Sequence, residues 1–250
     1  MADKETKYSA LGVLRTAWAY LLFGVYLLWA FPVAVYSNIF RNPYNSRFFV
    51  RITQKYVKFM LWACGVSVVK IQVENLEKAG HCVMVSNHTS LLDIFTASQA
   101  VRPNMKGLAK KEIKHIPWVG LFFSVVSVFV DRKDPDSRQK SLELCANEIQ
   151  AGHSFLIFPE GTRNRTSDIL QPFRDGAFKL AIQAQCPILP FITPDNRFLM
   201  PMRDKILRSG IARIIYLEPI STQNLCMEDL PDLKQKVFDL MLKALQEYTH

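Results

Sequence analysis

His88 and Asp93 are the residues in this 250-residue chain whose types and spacing best suit proton transfer. His88 follows the apolar run 83–85 and the turn formers Ser86 and Asn87, while Leu91, Leu92, Ile94 and Phe95 open a helix-like pattern. Five positions on one regular helix turn through about 140°, so the pair would not share a helical face. With His88 in the loop and Asp93 in the first helical turn, they can meet. A carboxylate on one imidazole nitrogen fixes the tautomer and makes the other a better base. The same residues admit a plain structural reading. Ser90-Leu91-Leu92-Asp93 fits a capping box, in which Asp93 only satisfies backbone donors.

A second turn, Glu160-Gly161-Thr162-Arg163, follows the apolar run 155–158. Gly161 lets backbone amides approach an anion, Thr162 adds a hydroxyl, and Arg163 offers a planar fork matched to phosphate oxygens. Taken alone, such a sequence is more often just a turn.

The elements that must position these residues read as an α/β domain, because strand-like and helix-like stretches alternate. Strands are expected at 69–73, 82–85, 125–130, 155–158, 188–192 and 212–217, and helices at 91–101, 137–150 and 176–185. Leu233, Val237, Leu240, Met241, Ala244 and Tyr248 mark a closing amphipathic helix. Ahead of this domain, residues 16–40 carry no charge, and about 25 residues exceed the roughly 20 needed to span a bilayer. Trp18, Tyr20, Tyr26, Trp29 and Tyr36 supply interfacial aromatics, and Pro32 argues for a kink or an early end. Arg41, Arg47, Arg51, Lys55 and Lys58 come next, then a second apolar stretch, 59–69, whose length of about 11 residues suits an interfacial or re-entrant element. Either the first run spans once, or the two stretches form a helical hairpin in one leaflet; Pro32 and the short second stretch favour the hairpin. The division is therefore an N-terminal membrane-anchoring region, 1–67, and a catalytic domain, 68–250.

Hydrophobic residues make up 49% of the chain, enough for a full core, and the net charge of +9 suits an anionic partner. Nucleic acid is disfavoured, since the basic residues are dispersed and juxtamembrane and no nucleic-acid motif is present. Five scattered cysteines without a CxxC or a Cys/His cluster read as buried thiols of a reducing compartment, with no metal site. Basic residues on the C-terminal side of the anchor place the catalytic domain in the cytoplasm.

Together the two turns are far more specific than either alone. Asn87-His88, Asp93, and about seventy residues later Phe158-Pro159-Glu160-Gly161-Thr162-Arg163, closely resemble the glycerolipid acyltransferases, and most of all the 1-acylglycerol-3-phosphate acyltransferases. Ala109-Lys110-Lys111-Glu112 with Ile116-Pro117 and Gly120, then Val130-Asp131-Arg132, look like the family's second block, and Cys186-Pro187-Ile188-Leu189-Pro190 is similar to its fourth. Phe173-Arg174-Asp175-Gly176 resembles a basic-Gly stretch there, with Asp175 as a departure that questions Arg174 as a ligand contact.

The resemblance implies a glycerol-3-phosphate acyltransferase-like central sheet flanked by helices, behind a membrane-embedded N-terminal segment. It implies acyl transfer from acyl-CoA or acyl-carrier protein, as co-substrate, to lysophosphatidic acid, with no cofactor. His88 would be the base and Asp93 its orienting partner. Lys110, Arg163, Gly161 and Thr162 would hold the phosphate, with Asn87, Glu160 and Arg132 in support and Glu160 fixing the Arg163 guanidinium. Residues 116–130 would line the acyl-chain channel or serve as ordinary core. A glycerol-3-phosphate acyltransferase is disfavoured because such members are much longer. A different head group, or a non-catalytic lipid-binding tether, remains open; a tether would not need His88 and Asp93 in register with Glu160 and Arg163.

Overall fold

The computed structural model describes residues 9–40, 43–117, 119–131 and 134–249. Two helices, α1 (Ala10–Phe40) and α2 (Pro43–Ala63), precede β1 (Val66–Ile71), α3 (Val73–Ala79), β2 (Val83–Ser86), α4 (Asp93–Ala100) and β3 (Met105–Lys110). A 3-10 turn at Lys111–His115 leads into α5 (Val119–Val126), β4 (Ser127–Val130), α6 (Pro135–Gln150), β5 (Ser154–Ile157), α7 (Gly176–Ala184), β6 (Ile188–Ile192), α8 (Asn196–Leu199), β7 (Gly210–Tyr216) and α9 (Leu230–Tyr248).

The strands form one sheet in the order β1-β7-β6-β2-β5-β3-β4. Every neighbouring pair is parallel except β6 and β7. The central strands are apolar runs buried on both faces, as a helix-covered parallel sheet requires; Val83, Met84 and Val85 are all fully buried. Side chains alternate across the sheet. Val83 and Val85 pack with Ala146 of α6, Phe178 of α7 and Val237 of α9 on one face. Met84 packs with Leu76 of α3 and Ala97 of α4 on the other.

The connections leave β2 and β5 in opposite directions. From β2 the chain crosses toward β3; from β5 it crosses the other way to β6. Adjacent parallel strands whose connections diverge leave an opening at their carboxyl ends, where open α/β sheets bind ligands. The turns carrying His88 and Glu160–Arg163 come directly after β2 and β5.

α1 and α2 run antiparallel over the α4 face. The Tyr56 hydroxyl donates to the Leu22 carbonyl at 2.8 Å, the Tyr26 and Thr53 hydroxyls are 3.1 Å apart, and Phe49 clusters with Ala30 and Ala34. α1 continues through Pro32, so the expected early end does not occur. Proline removes only one helical donor, and the packed face of Tyr26, Ala30 and Ala34 holds the helix across it. The apolar stretch 59–69 is not the one element expected from sequence. Its first half ends α2, Gly65 turns at φ +74°, and its second half enters β1. The strand expected at 69–73 accordingly lies earlier, at Val66–Ile71. The run 116–130 likewise divides between α5 and β4, and α5 packs its aromatic Phe122 on Tyr26 and Phe49 of the hairpin. Four cysteines are buried, whereas Cys226 is exposed.

Candidate active site

β2 stops at Ser86 because Asn87 takes over its ladder. The buried Asn87 amide accepts from Thr193 N at 2.9 Å through Oδ1, just past the end of β6. His88 is then fixed on every side. Its N–H donates to Glu160 Oε1 at 2.6 Å, its carbonyl accepts from Asn164 N at 2.6 Å, and its ring stacks on Phe158 with centroids 4.2 Å apart. Nδ1 lies 2.9 Å from Asp93 Oδ2. Nε2 makes no hydrogen bond to the described residues.

Asp93 is the first residue of α4 and is 1% exposed. Its Oδ2 also accepts from Thr89 N at 2.7 Å and Ser90 N at 2.8 Å, and its Oδ1 accepts from Asn196 Nδ2 at 2.8 Å. With those donors on it, Oδ2 acts as an acceptor, so neutral His88 carries its proton on Nδ1 and presents a lone pair at Nε2. The capping box is only half present. Ser90 N reaches Asp93, but Ser90 Oγ turns to Leu92 N at 3.0 Å and Met200 O at 2.7 Å. Asp93 therefore orders the turn and holds the imidazole with the same carboxylate.

Glu160 corrects the sequence reading. It makes no ion pair with Arg163; its two oxygens accept from backbone amides, Oε1 from His88 and Oε2 from Gln171 at 3.1 Å. It thereby ties the β2 turn to the β5 turn. Glu160 is 3% exposed, and burial pushes its carboxyl up to about 7 against the lowering pull of those two amides.

Beside this tie, Gly161 sits at φ +75° with its N–H on the Phe158 carbonyl at 3.0 Å. A Cβ there would stand 3.2 Å from Arg174 Cγ, so glycine serves both the left-handed turn and the close approach. Thr162 is exposed and Arg163 half-buried, with Nη1 4.0 Å from Met202 Sδ and no carboxylate in ion-pair range among the described residues. Asp175 does not neutralise Arg174, because its carboxylate pairs with Lys234 at 2.8 Å. Arg174 is thus an exposed cation alongside the Gly161 turn, with no ion pair among the described residues. Lys110 closes β3 at the same end of the sheet, but its side chain lies outside the described residues, as does the whole of Arg132.

Sequence reasoning missed Phe158 as the ring under His88, Asn164 as a clasp between the turns, and Asn196. The available signal for Asn196 was its place in a polar turn after a buried strand, as for His88 and Glu160.

A family model described as Acyltransferase matches residues 67–193. The 1-acyl-sn-glycerol-3-phosphate acyltransferase of Saccharomyces cerevisiae is 34% identical over 197 residues, which cover 76% of this chain but only 63% of the yeast protein. The protein of the same name from Haemophilus influenzae is 28% identical over 218 residues, 85% of this chain and 87% of its own. The crystal structure of the 1-acyl-sn-glycerophosphate (LPA) acyltransferase from Thermotoga maritima superposes with a TM-score of 0.78 at 23% identity, over 94% of this chain and 95% of that one. At that identity the likeness speaks for the fold.

Proposed function

This chain belongs to the acyltransferase family, and from that premise we propose that it moves a fatty acyl group from acyl-CoA or acyl-carrier protein to the sn-2 hydroxyl of 1-acylglycerol-3-phosphate, giving phosphatidic acid. The relatives' names support the substrate. The observation that carries the reading is the buried Asp93 carboxylate on His88 Nδ1 at 2.9 Å, with Nε2 unpartnered among the described residues.

An alcohol is a poor nucleophile, and Nε2 serves as its base. As the lipid oxygen bonds to the thioester carbonyl carbon, its proton passes to Nε2. Asp93 stabilises the imidazolium without taking that proton. The tetrahedral intermediate then expels the thiolate, the C–S bond breaks, and the imidazolium returns the proton to sulfur. No acyl-enzyme intermediate is needed. Arg163, with no ion pair to displace among the described residues, Gly161, Thr162 and Lys110 hold the substrate phosphate, and Arg174 lies beside them.

The hairpin of α1 and α2 anchors this chemistry at a membrane. α1 is long and apolar enough to cross a bilayer by length and composition, and Leu14, Leu21, Leu28 and Ile39 are exposed along it. Its partner α2 exposes Arg51, Lys55 and Lys58 and cannot lie across hydrocarbon. On this reading the hairpin enters one leaflet, with the catalytic domain on the cytoplasmic face beside the thioester donors. Cysteine labelling of residues 2 and 250 in sealed vesicles should find both on the same side.

The test is acyl transfer by purified protein in mixed micelles, with radiolabelled acyl-CoA or acyl-carrier protein and a panel of lysolipids. Labelled phosphatidic acid from lysophosphatidic acid is the expected product. Transfer confined to a lysolipid with another head group would remove the substrate assignment, and no transfer to any lysolipid the activity itself.

A further inference from the structure

We propose that Asn196 is a positioning residue for the His88–Asp93 pair, acting through the carboxylate oxygen that His88 does not touch; the inference rests on the reading of His88 as base. Asn196 opens α8 and is fully buried. Its Nδ2 carries two hydrogens and places both, on Asp93 Oδ1 at 2.8 Å and on Thr96 Oγ1 at 2.7 Å. The amide cannot be turned over, because its oxygen would then face the carboxylate. Its own Oδ1 is left buried with no partner among the described residues.

The segment bearing Asn196 is itself held. Asp195 accepts from Arg213 Nη2 at 2.6 Å, from Arg213 Nε at 2.9 Å and from Arg213 N at 2.8 Å, which pins the start of α8 to β7. Asn196 thus reaches Asp93 from a fixed point on the far side of the carboxylate from His88. The geometry has a direct consequence. Three donors crowd Asp93 Oδ2, and among the described residues only Asn196 engages Oδ1. Without Asn196, Oδ1 has no donor, and rotation about the Cβ–Cγ bond would share the remaining donors between both oxygens. His88 Nδ1 would then lose its alignment, and with it the orientation of Nε2. Substrate contacts are untouched, so the loss falls on turnover and not on substrate affinity.

Two variants and a control test this. Asn196→Ala should lower kcat about 10- to 100-fold, the effect of a lost hydrogen bond to a charged group, with KM for lysolipid and thioester within about twofold of wild type. Asn196→Asp is close to isosteric and gives a readout that a role in packing α8 would not move. Two carboxyls in contact share one proton, and the protonated one donates to Asp93 as the amide does. Raising the pH strips that proton and sets two carboxylates against each other. The ratio of Asn196→Asp to wild-type turnover should therefore fall as pH rises, in protein that remains folded by thermal melting. A pH-independent ratio together with a kcat for Asn196→Ala within about twofold of wild type overturns the proposal. His88→Ala, assayed in parallel, separates the two levels: if it is inactive while the Asn196 variants behave as wild type, only the role of Asn196 falls. If it is active, the base assignment falls first.

Discussion

Removing the Glu160 carboxylate should destabilise the fold in a pH-dependent way, and the sign is fixed by the site. Glu160 accepts from His88 N at 2.6 Å and Gln171 N at 3.1 Å, and Glu160→Ala orphans both donors in a buried turn. Each orphaned donor costs about 1–3 kcal/mol. Against this stands the burden of charge. A carboxyl moved from an ordinary 4.5 to about 7 has a charged form about 3 kcal/mol costlier in the fold than in the unfolded chain. The raised value means that Glu160's contribution is full below about pH 4.5 and is lost as pH rises through about 7. The alanine variant lacks the group and escapes that loss. Between pH 5 and pH 8 its stability deficit against wild type should therefore shrink by about 2.5 kcal/mol, or roughly 5–10 °C in Tm for a chain of this size. Thermal melts of both proteins in the same detergent at pH 5, 6, 7 and 8 measure it. A deficit that is flat with pH, or that grows as pH rises, would refute a buried, hard-to-ionise Glu160.

Two further substitutions separate roles that overlap in one residue. Asp93→Asn should keep most of the turn but reverse the tautomer, lowering kcat by about 10²- to 10⁴-fold with a modest change in Tm; Asp93→Ala, which strands His88 Nδ1, Thr89 N, Ser90 N and Asn196 Nδ2 together, should also collapse the melt. Arg163→Ala should raise KM for lysophosphatidic acid roughly 10- to 150-fold while KM for the thioester holds, and Arg163→Lys should rescue only in part because it lacks the fork. The opposite split would assign Arg163 to the thioester.

The sequence displays side-chain chemistry and local period, and the success of each reading depends on that. His88 and Asp93 were legible because turn formers and a helical start bracket them, which fixes how they can meet. Glu160 was misread because its partners are backbone amides of another turn, and backbone donors leave no trace in residue type. The sequence offered Arg163 as the nearest opposite charge, but its guanidinium lies toward Met202. Asn196 lies about a hundred residues from Asp93, and only the return of β6 beside β2 brings them together.

Element boundaries failed for a related reason. An apolar run such as 59–69 suits a buried helix end and a buried strand equally, and Gly65 was the break within it. β3, with the sequence Met-Lys-Gly-Leu-Ala-Lys, carries little strand propensity. It is a strand because tertiary partners accept it: Lys106 pairs with Glu148 at 2.7 Å, and a Cβ on Gly107 would stand 3.3 Å from Ser127 Oγ. The expected second arm, 59–69, is not the observed one: the partner of α1 is α2, which holds the basic residues Arg51, Lys55 and Lys58, and the packing of Phe122 against Phe49 depends on α5, a helix that the expected strand at 125–130 only touches at its end.

In the proposed mechanism His88 Nε2 takes the proton from the lipid hydroxyl. Single-turnover acyl transfer by His88→Ala, at saturating lysophosphatidic acid and thioester and with the fold verified by thermal melting, tests it most directly. The expected result is no phosphatidic acid above the uncatalysed background while the variant still binds both substrates. Turnover within about tenfold of wild type would contradict it.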